Sequence, residues 1–190
     1  MIVDLGTGDG RAVLAAAAAD PRALVIGLDA DASAMAESSR RAARPARKGG
    51  LANALFVVGA AELPPVELCG IADTVTVWFP WGSLLRGVLG LDDAAARGIA
   101  SLPRPDGGLV DAFLSVTARD GLDGVRVLDA TVVGRLADAH RRFGLELVSA
   151  APASIDDVRA TRSSWGRRLL ASGSDRPVWR LSLRRRRESD

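Results

Sequence analysis

The sequence predicts an α/β fold in which helices cover both faces of a mostly parallel, doubly wound sheet. Short apolar runs rich in β-branched residues recur along the chain, as in strands that are buried on both faces. Helical stretches separate these runs, so consecutive strands are joined by crossovers. The length of 190 residues is sufficient for one domain with a full core.

The elements of the first half follow from this pattern. Strands are predicted over residues 1–5, 23–28, 54–58 and 74–79. Helices are predicted over residues 11–19, which are mainly alanine, and over residues 31–43. Pro21 and Pro45 mark the ends of these helices, because the residue before a proline disfavours helical geometry.

The second half completes a sheet of seven strands. Further strands are predicted over residues 108–117, 145–150 and 178–183, and helices over residues 92–100, 132–142 and 155–159. The last strand alternates in polarity and is expected beside residues 145–150, which allows one antiparallel strand at the end of the sheet. Residues 1–183 are therefore expected to form a single domain, and residues 184–190 a basic, disordered tail.

Composition narrows the class of protein. Cys69 is the only cysteine, which excludes an intrachain disulfide and a cysteine-based zinc site and favours the cytoplasm. No signal peptide is predicted, and no apolar stretch reaches the roughly 20 residues that a bilayer requires. The net charge is only +2, but the basic residues, all arginine except Lys48, cluster at 40–48 and 162–187. Arginine suits phosphate recognition, although a GC-rich genome would also explain its abundance.

A glycine-rich segment follows the first predicted strand, where open α/β sheets bind their ligands. Gly6, Gly8 and Gly10 allow a tight turn and a close approach of the backbone to a ligand. The dinucleotide fingerprint would place its third glycine at position 11, which is Arg11. A nicotinamide cofactor is therefore disfavoured. Asp9 is expected to cap the helix that follows.

Two acidic residues end the next two strands. Asp29 closes the second strand, a position from which a carboxylate can accept both hydroxyls of an adenosine ribose. Glu62 follows the third strand and can border an adenine, although taken alone it is more often a solvated loop residue. Together with the glycine loop, these residues predict a site for a nucleoside-type cofactor.

A turn after the fourth strand gives the clearest indication of the substrate. Pro80 lacks an N–H and stiffens the turn, so the carbonyl groups of Phe79 and Pro80 can face an incoming base. Trp81 offers a flat surface for stacking, and Trp165, which lies among arginines, could supply the opposing surface. The alternative is that both are core tryptophans. We expect that role for Trp78 and Trp179, which fall inside strands.

The basic run after the second helix fits a phosphate backbone. At helical spacing Arg40, Arg44 and Arg47 share one face, and Arg41 and Lys48 extend the run, although such runs are more often solvated. The only histidine, His140, lies in a polar helix, which favours a surface role. No metal site and no serine or cysteine triad is predicted.

Several segments, in this order, resemble the aminoglycoside-resistance 16S rRNA (adenine-1408-N1) methyltransferases. The resemblance extends from residue 1 to about residue 180. The Phe-Pro-Trp-Gly turn combined with the late Ser-x-Trp-x-x-Arg segment is its most specific part. The matching segments are Asp4-Leu5-Gly6-Thr7-Gly8-Asp9-Gly10-Arg11, Lys48-Gly49-Gly50-Leu51-Ala52-Asn53, Ala60-Ala61-Glu62, Phe79-Pro80-Trp81-Gly82-Ser83-Leu84-Leu85 and Trp165-Gly166-Arg167-Arg168-Leu169.

This resemblance implies a Rossmann-like class I fold, S-adenosylmethionine (SAM) as cofactor, and methylation of N1 of adenine 1408 in the small ribosomal subunit. We expect a monomer. Trp81 and Trp165 match the pair that sandwiches the flipped adenine. Positions expected to bind the cofactor, with Gly8 added from the glycine motif, are Asp4, Gly6, Gly8, Asp29, Glu62, Ser83 and Ser163. Positions expected to contact RNA, with Arg47 and Lys48 added from the basic run, are Arg40, Arg41, Arg44, Arg47, Lys48, Arg168 and Arg176.

The sequence departs from the family pattern in three places. The family's β-hairpin before the glycine motif has no counterpart here, which bears on docking to the ribosome. Pro45 replaces a basic residue, and residues 92–132 match only loosely. Two other functions therefore stay open: a SAM-dependent methyltransferase acting on tRNA or a small molecule, and a ribosome- or RNA-binding protein of the same fold without turnover.

Overall fold

The computed structural model describes residues 1–122, 125, 127–173 and 175–187 and contains one sheet of seven strands. Their spatial order is β3-β2-β1-β4-β5-β7-β6. Strands β1 to β5 are parallel, and β7 is antiparallel to both of its neighbours. This confirms the predicted mostly parallel, seven-stranded class. The strands are β1 (Ile2–Leu5), β2 (Val25–Asp29), β3 (Ala54–Val58), β4 (Thr74–Trp78), β5 (Leu109–Leu114), β6 (Leu145–Pro152) and β7 (Trp179–Arg185).

Helices of the described residues cover both faces of the sheet. Side-chain oxygens cap several of them: Asp31 accepts from the backbone at the start of the second helix, and Ser163 does so at the start of the last. Two helices, α3 and α7, had no predicted counterpart. The helices are α1 (Arg11–Ala19), α2 (Ala32–Ala42), α3 (Gly82–Val88), α4 (Asp93–Ser101), α5 (Ala130–Arg141), α6 (Ile155–Ala160) and α7 (Ser164–Ala171).

The core is built on the central strands. Leu5, Val75 and Leu181 are buried with the larger of the two main apolar clusters, and Val13 and Val25 belong to the smaller one beneath α1. Because β1 pairs with β2 on one side and β4 on the other, the chain reverses its direction of progress across the sheet at β1. Ligands of open α/β sheets bind at such a reversal, beside the carboxyl ends of the strands.

Two predictions made from the sequence are wrong in detail. His140 is not a surface residue: it is fully buried, and its Nε2 lies 2.9 Å from the carbonyl oxygen of Val88. The strand before the predicted tail runs on through Arg184 and Arg185, because their backbones pair with β5 and β6. The remainder of the tail prediction concerns residues 186–190, of which 188–190 lie outside the described residues. None of the described helices is both long and apolar enough to cross a membrane.

Candidate active site

A cavity of about 380 Å³ opens at the carboxyl ends of the central strands. The glycine loop, the two strand-end acids, the Phe79–Gly82 turn and the start of α7 all border it. The structure thus brings together every cofactor-binding and base-stacking residue expected from the sequence, and one of the expected RNA-contacting residues. These residues are Asp4, Gly6, Gly8, Asp29, Glu62, Phe79, Pro80, Trp81, Ser83, Ser163, Trp165 and Arg168.

The glycine loop joins β1 to α1 in a conformation that requires glycine. Gly8 has a φ of 56°, in the left-handed region, and its N–H donates to Oδ2 of Asp29 at 2.7 Å. A Cβ on Gly10, whose φ is 69°, would lie 2.4 Å from a ring carbon of Phe56. The loop is therefore held against β2 and β3, and Asp29 is fixed by the loop it faces.

Asp4 lies at the floor of the cavity with only 3% of its surface exposed. The hydroxyl of Thr7 donates to its Oδ2 and the hydroxyl of Thr76 to its Oδ1, each at 2.7 Å. Burial outweighs these two hydrogen bonds and raises the pKa of Asp4 from 3.8 to about 6. A cationic group that reached this carboxylate would favour its charged form, which suits a bound ammonium.

Asp29 and Glu62 border the cavity from the ends of β2 and β3. Asp29 is half-buried and accepts from the N–H of Asp31 at 2.9 Å as well as from Gly8. Because each carboxylate oxygen has further lone pairs, Asp29 keeps the capacity to accept from two ribose hydroxyls. Glu62 is half-buried and lines the same side of the cavity.

The turn after β4 has an unusual backbone. Phe79 has a φ of 52°, a conformation that non-glycine residues rarely adopt, and its N–H donates to the carbonyl of Phe113 at 2.8 Å. Its ring is buried, whereas Trp81 at the start of α3 is 81% exposed. An exposed tryptophan at the mouth of a cavity is not a core residue. The core alternative is therefore wrong for Trp81, and its stacking role stays a prediction.

Trp165 borders the cavity from the first turn of α7. One face of its ring stacks on Phe79, with centroids 4.8 Å apart and planes at 30°. Gly166 allows this contact, because a Cβ there would lie 2.9 Å from a ring carbon of Phe79. Trp78, expected in the core, is half-buried, packs edge-on against Phe113 and also lines the cavity. The fourth tryptophan, in β7, packs against the core as expected.

Comparison with known proteins identifies the family. The family model of NpmA, the 16S rRNA (adenine(1408)-N(1))-methyltransferase, matches residues 1–184. This chain belongs to that methyltransferase family. A 16S rRNA (adenine(1408)-N(1))-methyltransferase of Streptoalloteichus hindustanus is 37% identical over 177 residues, which cover 90% of this chain and 81% of the relative.

Solved structures of the same family agree with this assignment. A variant of the 16S rRNA (adenine(1408)-N(1))-methyltransferase from Catenulisporales acidiphilia, crystallised with its cosubstrate SAM, superposes with a TM-score of 0.87 at 32% identity, covering 100% of this chain and 87% of the other. The 16S rRNA methyltransferase KamB gives a TM-score of 0.86 at 34% identity, covering 97% and 87%. The class I methyltransferase fold expected from the resemblance is thereby confirmed.

The basic run of this methyltransferase lies away from the cavity, on an exposed surface. Arg40 donates to Glu37 at 3.0 Å, and Arg44 lies 4.0 Å from the same carboxylate. Helix α2 ends at Ala42, so the expected helical face shared with Arg44 and Arg47 does not form. Arg41, Arg47 and Lys48 are also exposed, the last two on a separate 3₁₀ turn.

The other two predicted RNA-contacting arginines differ in their surroundings. Arg168 is exposed at the cavity and forms no ion pair with any residue that the structure describes. Arg176 donates to Asp120 at 2.8 Å and to the carbonyl of Ser115 at 3.1 Å, and its guanidinium carbon lies 5.8 Å from the Trp165 ring centroid. Partial burial acts to raise the pKa of Asp120, but hydrogen bonds from Arg176 and Thr117 lower it overall. An RNA contact by Arg176 stays a prediction.

Sequence reasoning missed four polar residues that shape the site. Thr7 and Thr76 hold Asp4, Asp120 holds Arg176, and the hydroxyl of Ser164 donates to Asp9 at 2.6 Å. Asp9 also accepts from the N–H of Arg11 at 3.2 Å, but the expectation that it caps α1 is wrong, because Gly10 occupies the N-cap position and no side chain caps the helix. Only Thr7, inside the glycine motif, carried a signal in the sequence. Among the described residues no group of His, Cys, Asp and Glu could hold a metal ion.

Proposed function

We propose that this chain transfers a methyl group from SAM to N1 of adenine 1408 in 16S rRNA of the small ribosomal subunit, and that the product confers aminoglycoside resistance. The observation that carries the proposal is a single cavity that joins an acid-lined glycine loop to two tryptophans at its mouth. Family membership supports the same reaction. We place this activity in the cytoplasm, where the enzyme acts on ribosomal subunits as a monomer.

The residues at the floor of the cavity fit SAM. The cofactor carries an ammonium group and a sulfonium, and among the described residues that line the cavity Asp4 is the buried carboxylate. Asp4 would accept from the ammonium, Asp29 from the ribose hydroxyls, and Glu62 would border the adenine. Ser83 and Ser163 line the remaining wall, and the hydroxyl of Ser163 already accepts from Gly166 at 3.4 Å. When bound, SAM supplies an electrophilic methyl group.

The mouth of the cavity fits a flipped adenine. Trp81 presents an open ring on which the base can stack, an interaction worth about 1–3 kcal/mol. Trp165 has one face on Phe79, and the guanidinium carbon of Arg176 lies 5.8 Å from its ring centroid, so a base would contact the part of the ring that borders the cavity. The carbonyl groups of Phe79 and Pro80 would accept from the exocyclic amine and set which ring nitrogen faces the cofactor. The unusual backbone of Phe79 fixes where these carbonyls point.

The reaction requires positioning more than acid–base chemistry. N1 of adenine carries a free lone pair near neutral pH, so no general base is needed. The protein must remove the base from its stack and hold N1 in line with the methyl group, which orientation alone can accelerate greatly. The exposed residues Arg40, Arg41, Arg44, Arg47, Lys48 and Arg168 would bind the RNA backbone, the last of them beside the flipped base.

Transfer of a labelled methyl group to three substrates tests the proposal. We expect incorporation into assembled small subunits and little into protein-free 16S rRNA or tRNA. Trp81→Ala should reduce incorporation by about 5- to 150-fold, as the loss of a stacking interaction of about 1–3 kcal/mol predicts, and leave the Kd for SAM within about twofold, because the side chain is exposed and lies at the mouth. Trp81→Phe, which keeps an aromatic surface, serves as the matched control and should retain partial activity.

The same experiment separates the other two functions. Incorporation into tRNA, or into a small molecule supplied as a fourth substrate, but not into subunits, would establish a different methyltransferase. Binding of both SAM and subunits without incorporation would establish a binding protein of this fold. Equal loss of SAM affinity and activity in Trp81→Ala would show that the tryptophan is structural and refute its assignment to the base.

A further inference from the structure

A hydrogen bond joins the cofactor half of the site to the substrate half. The hydroxyl of Ser164, in α7, donates to Oδ2 of Asp9, in the glycine loop, at 2.6 Å, although the two residues are 155 positions apart. Asp9 lies one residue after Gly8 in the loop, and Ser164 immediately precedes Trp165. All four residues line the same cavity. The hydrogen bond therefore connects the residues that would bind the cofactor with those that would bind the base.

The Asp9 end of the link is fixed within the glycine loop. The N–H of Arg11 donates to its Oδ1 at 3.2 Å, and the hydroxyl of Ser38 donates to its backbone carbonyl at 2.5 Å. The preceding Gly8 donates to Asp29, the carboxylate placed for the ribose. A cofactor that orders the loop and Asp29 would consequently order the carboxylate of Asp9.

The Ser164 end of the hydrogen bond adjoins Trp165, the residue proposed to stack on the base. The hydroxyl of Ser164 donates to Asp9 and accepts from a guanidinium N–H of Arg167 at 3.1 Å, so it acts both as a donor and as an acceptor. The next residue, Trp165, stacks on Phe79. Just before α7, Arg162 has a φ of 56°, so the chain enters the helix through a sharp turn.

Trp81 and Trp165 differ in how they are connected to the glycine loop. Trp81 follows β4 directly and is carried by the sheet, whereas Trp165 belongs to a helix that reaches the glycine loop through Ser164. Of the two tryptophans, Trp165 is therefore the one whose position can depend on whether the glycine loop is occupied.

We propose that Asp9 and Ser164 are positioning residues that couple cofactor binding to the placement of Trp165. An occupied glycine loop then holds α7 in place for the base, and the cofactor-loaded protein binds small subunits more tightly than the free protein. Because such coupling is reciprocal, subunits must raise the affinity for the cofactor by the same factor. The inference rests on the proposed function for the identity of the base, while the link itself can be tested without RNA.

Hydrogen–deuterium exchange with S-adenosylhomocysteine as the probe tests the link in the full chain. In the unmodified protein, binding should slow exchange in both the glycine loop and α7. In Ser164→Ala, binding should still protect the loop, but the protection of α7 should be about tenfold smaller. A reduction of this size is expected for the loss of a hydrogen bond to a carboxylate. Ser164→Thr, which keeps the hydroxyl, should behave as the unmodified chain.

Ser172→Ala is the matched control, because among the described residues the hydroxyl of this C-cap residue bonds only to the carbonyl of Leu169 in α7, at 2.8 Å. It should leave the response of α7 unchanged. The inference is overturned if α7 gains no protection on binding, if Ser164→Ala responds like the unmodified protein, or if Ser164→Thr fails in the same way as Ser164→Ala. Asp9→Asn, which keeps an acceptor, should retain the response that Asp9→Ala loses.

Subunit binding gives the second readout. S-adenosylhomocysteine should tighten binding of small subunits to the unmodified protein at least about fivefold, and Ser164→Ala should reduce that factor towards one. An unchanged factor in Ser164→Ala overturns the inference and leaves the proposed function intact. Failure of the unmodified protein to bind subunits under either condition refutes the proposed function instead, and the exchange experiment still decides the link.

Discussion

Asp4→Asn should make the protein more stable and at the same time weaken its binding of SAM. The carboxylate is buried, and burial raises its pKa from 3.8 to about 6. At about 1.4 kcal/mol for each tenfold change in proton affinity, the charged form costs the folded state about 3 kcal/mol. Asparagine removes the charge and can still bond to the hydroxyls of Thr7 and Thr76. We expect a gain of up to about 3 kcal/mol at pH 7.5.

The sign of the pH dependence follows from the raised pKa. The folded state binds this proton more tightly than the unfolded chain, so the contribution of Asp4 favours folding below pH 3.8 and is lost as the pH rises towards 6. The difference in unfolding free energy between Asp4→Asn and the unmodified protein should therefore be largest above pH 6 and shrink towards pH 4.

Urea unfolding at several pH values, with calorimetric titration of SAM, checks both halves of this prediction. SAM binding should weaken at least about tenfold in Asp4→Asn, because the ammonium loses its buried carboxylate. Asp138→Asn, at an exposed ion pair with Arg141, is the control and should change stability by less than about 0.5 kcal/mol. A variant that is no more stable than the unmodified protein at pH 7.5, or a gain that does not vary with pH, would refute the reasoning.

Three further predictions concern packing, titration and RNA binding. Gly166→Ala should displace the stacked rings of Phe79 and Trp165 and lower stability by about 1–3 kcal/mol and activity with it, measurable by thermal unfolding and methyl transfer; an unchanged rate would contradict the packing argument. Burial lowers the pKa of His140, so in an Asp4→Asn background the unfolding free energy should fall as the pH drops below 6.5, and His140→Gln should remove that slope. Arg168→Ala should weaken subunit binding and reduce its salt dependence by about one ion with no change in SAM affinity, and an unchanged salt slope would argue against a phosphate contact.

The strands were predictable because burial on both faces leaves a direct trace in sequence. Residues 54–58 match β3 at both ends, and the other strands differ by a few residues. The end of β7 was missed because Arg184 and Arg185 pair with the sheet through their backbones. Such pairing does not depend on whether the side chains are polar or apolar, so it leaves no pattern in the sequence. Helix α3 was missed because it has seven residues, two of them glycine, and follows a strand without a capping side chain.

The sequence did indicate that His140 is buried, but its polar neighbours favoured the opposite prediction. His140 continues a stripe of Val132 and Leu136 at intervals of four residues, all buried on one face of α5, but the arginines beside it made the helix look polar. Two partners of Asp4 and Asp9 carried no such signal. Thr76 and Ser164 come from distant parts of the chain, and their contacts exist only because the sheet order and α7 bring them to one cavity.

The site itself was largely predictable, since the carboxyl ends of parallel strands meet at one edge and most of its residues follow those ends directly. The arrangement of the basic run was not. Its spacing fitted a continuous helix, but the chain leaves α2 at Ala42, and the last two cations lie on a separate turn before Gly49. A repeat of basic residues predicts a charged surface more securely than it predicts a shared helical face.

Primer extension on 16S rRNA tests the central claim most directly. Small subunits would be incubated with the protein and SAM, and their rRNA then copied by reverse transcriptase, which stops where a methyl group on N1 blocks base pairing. The account predicts a new stop at adenine 1408 that requires both SAM and Trp81. No stop there, with binding of SAM demonstrated in the same preparation, would contradict it.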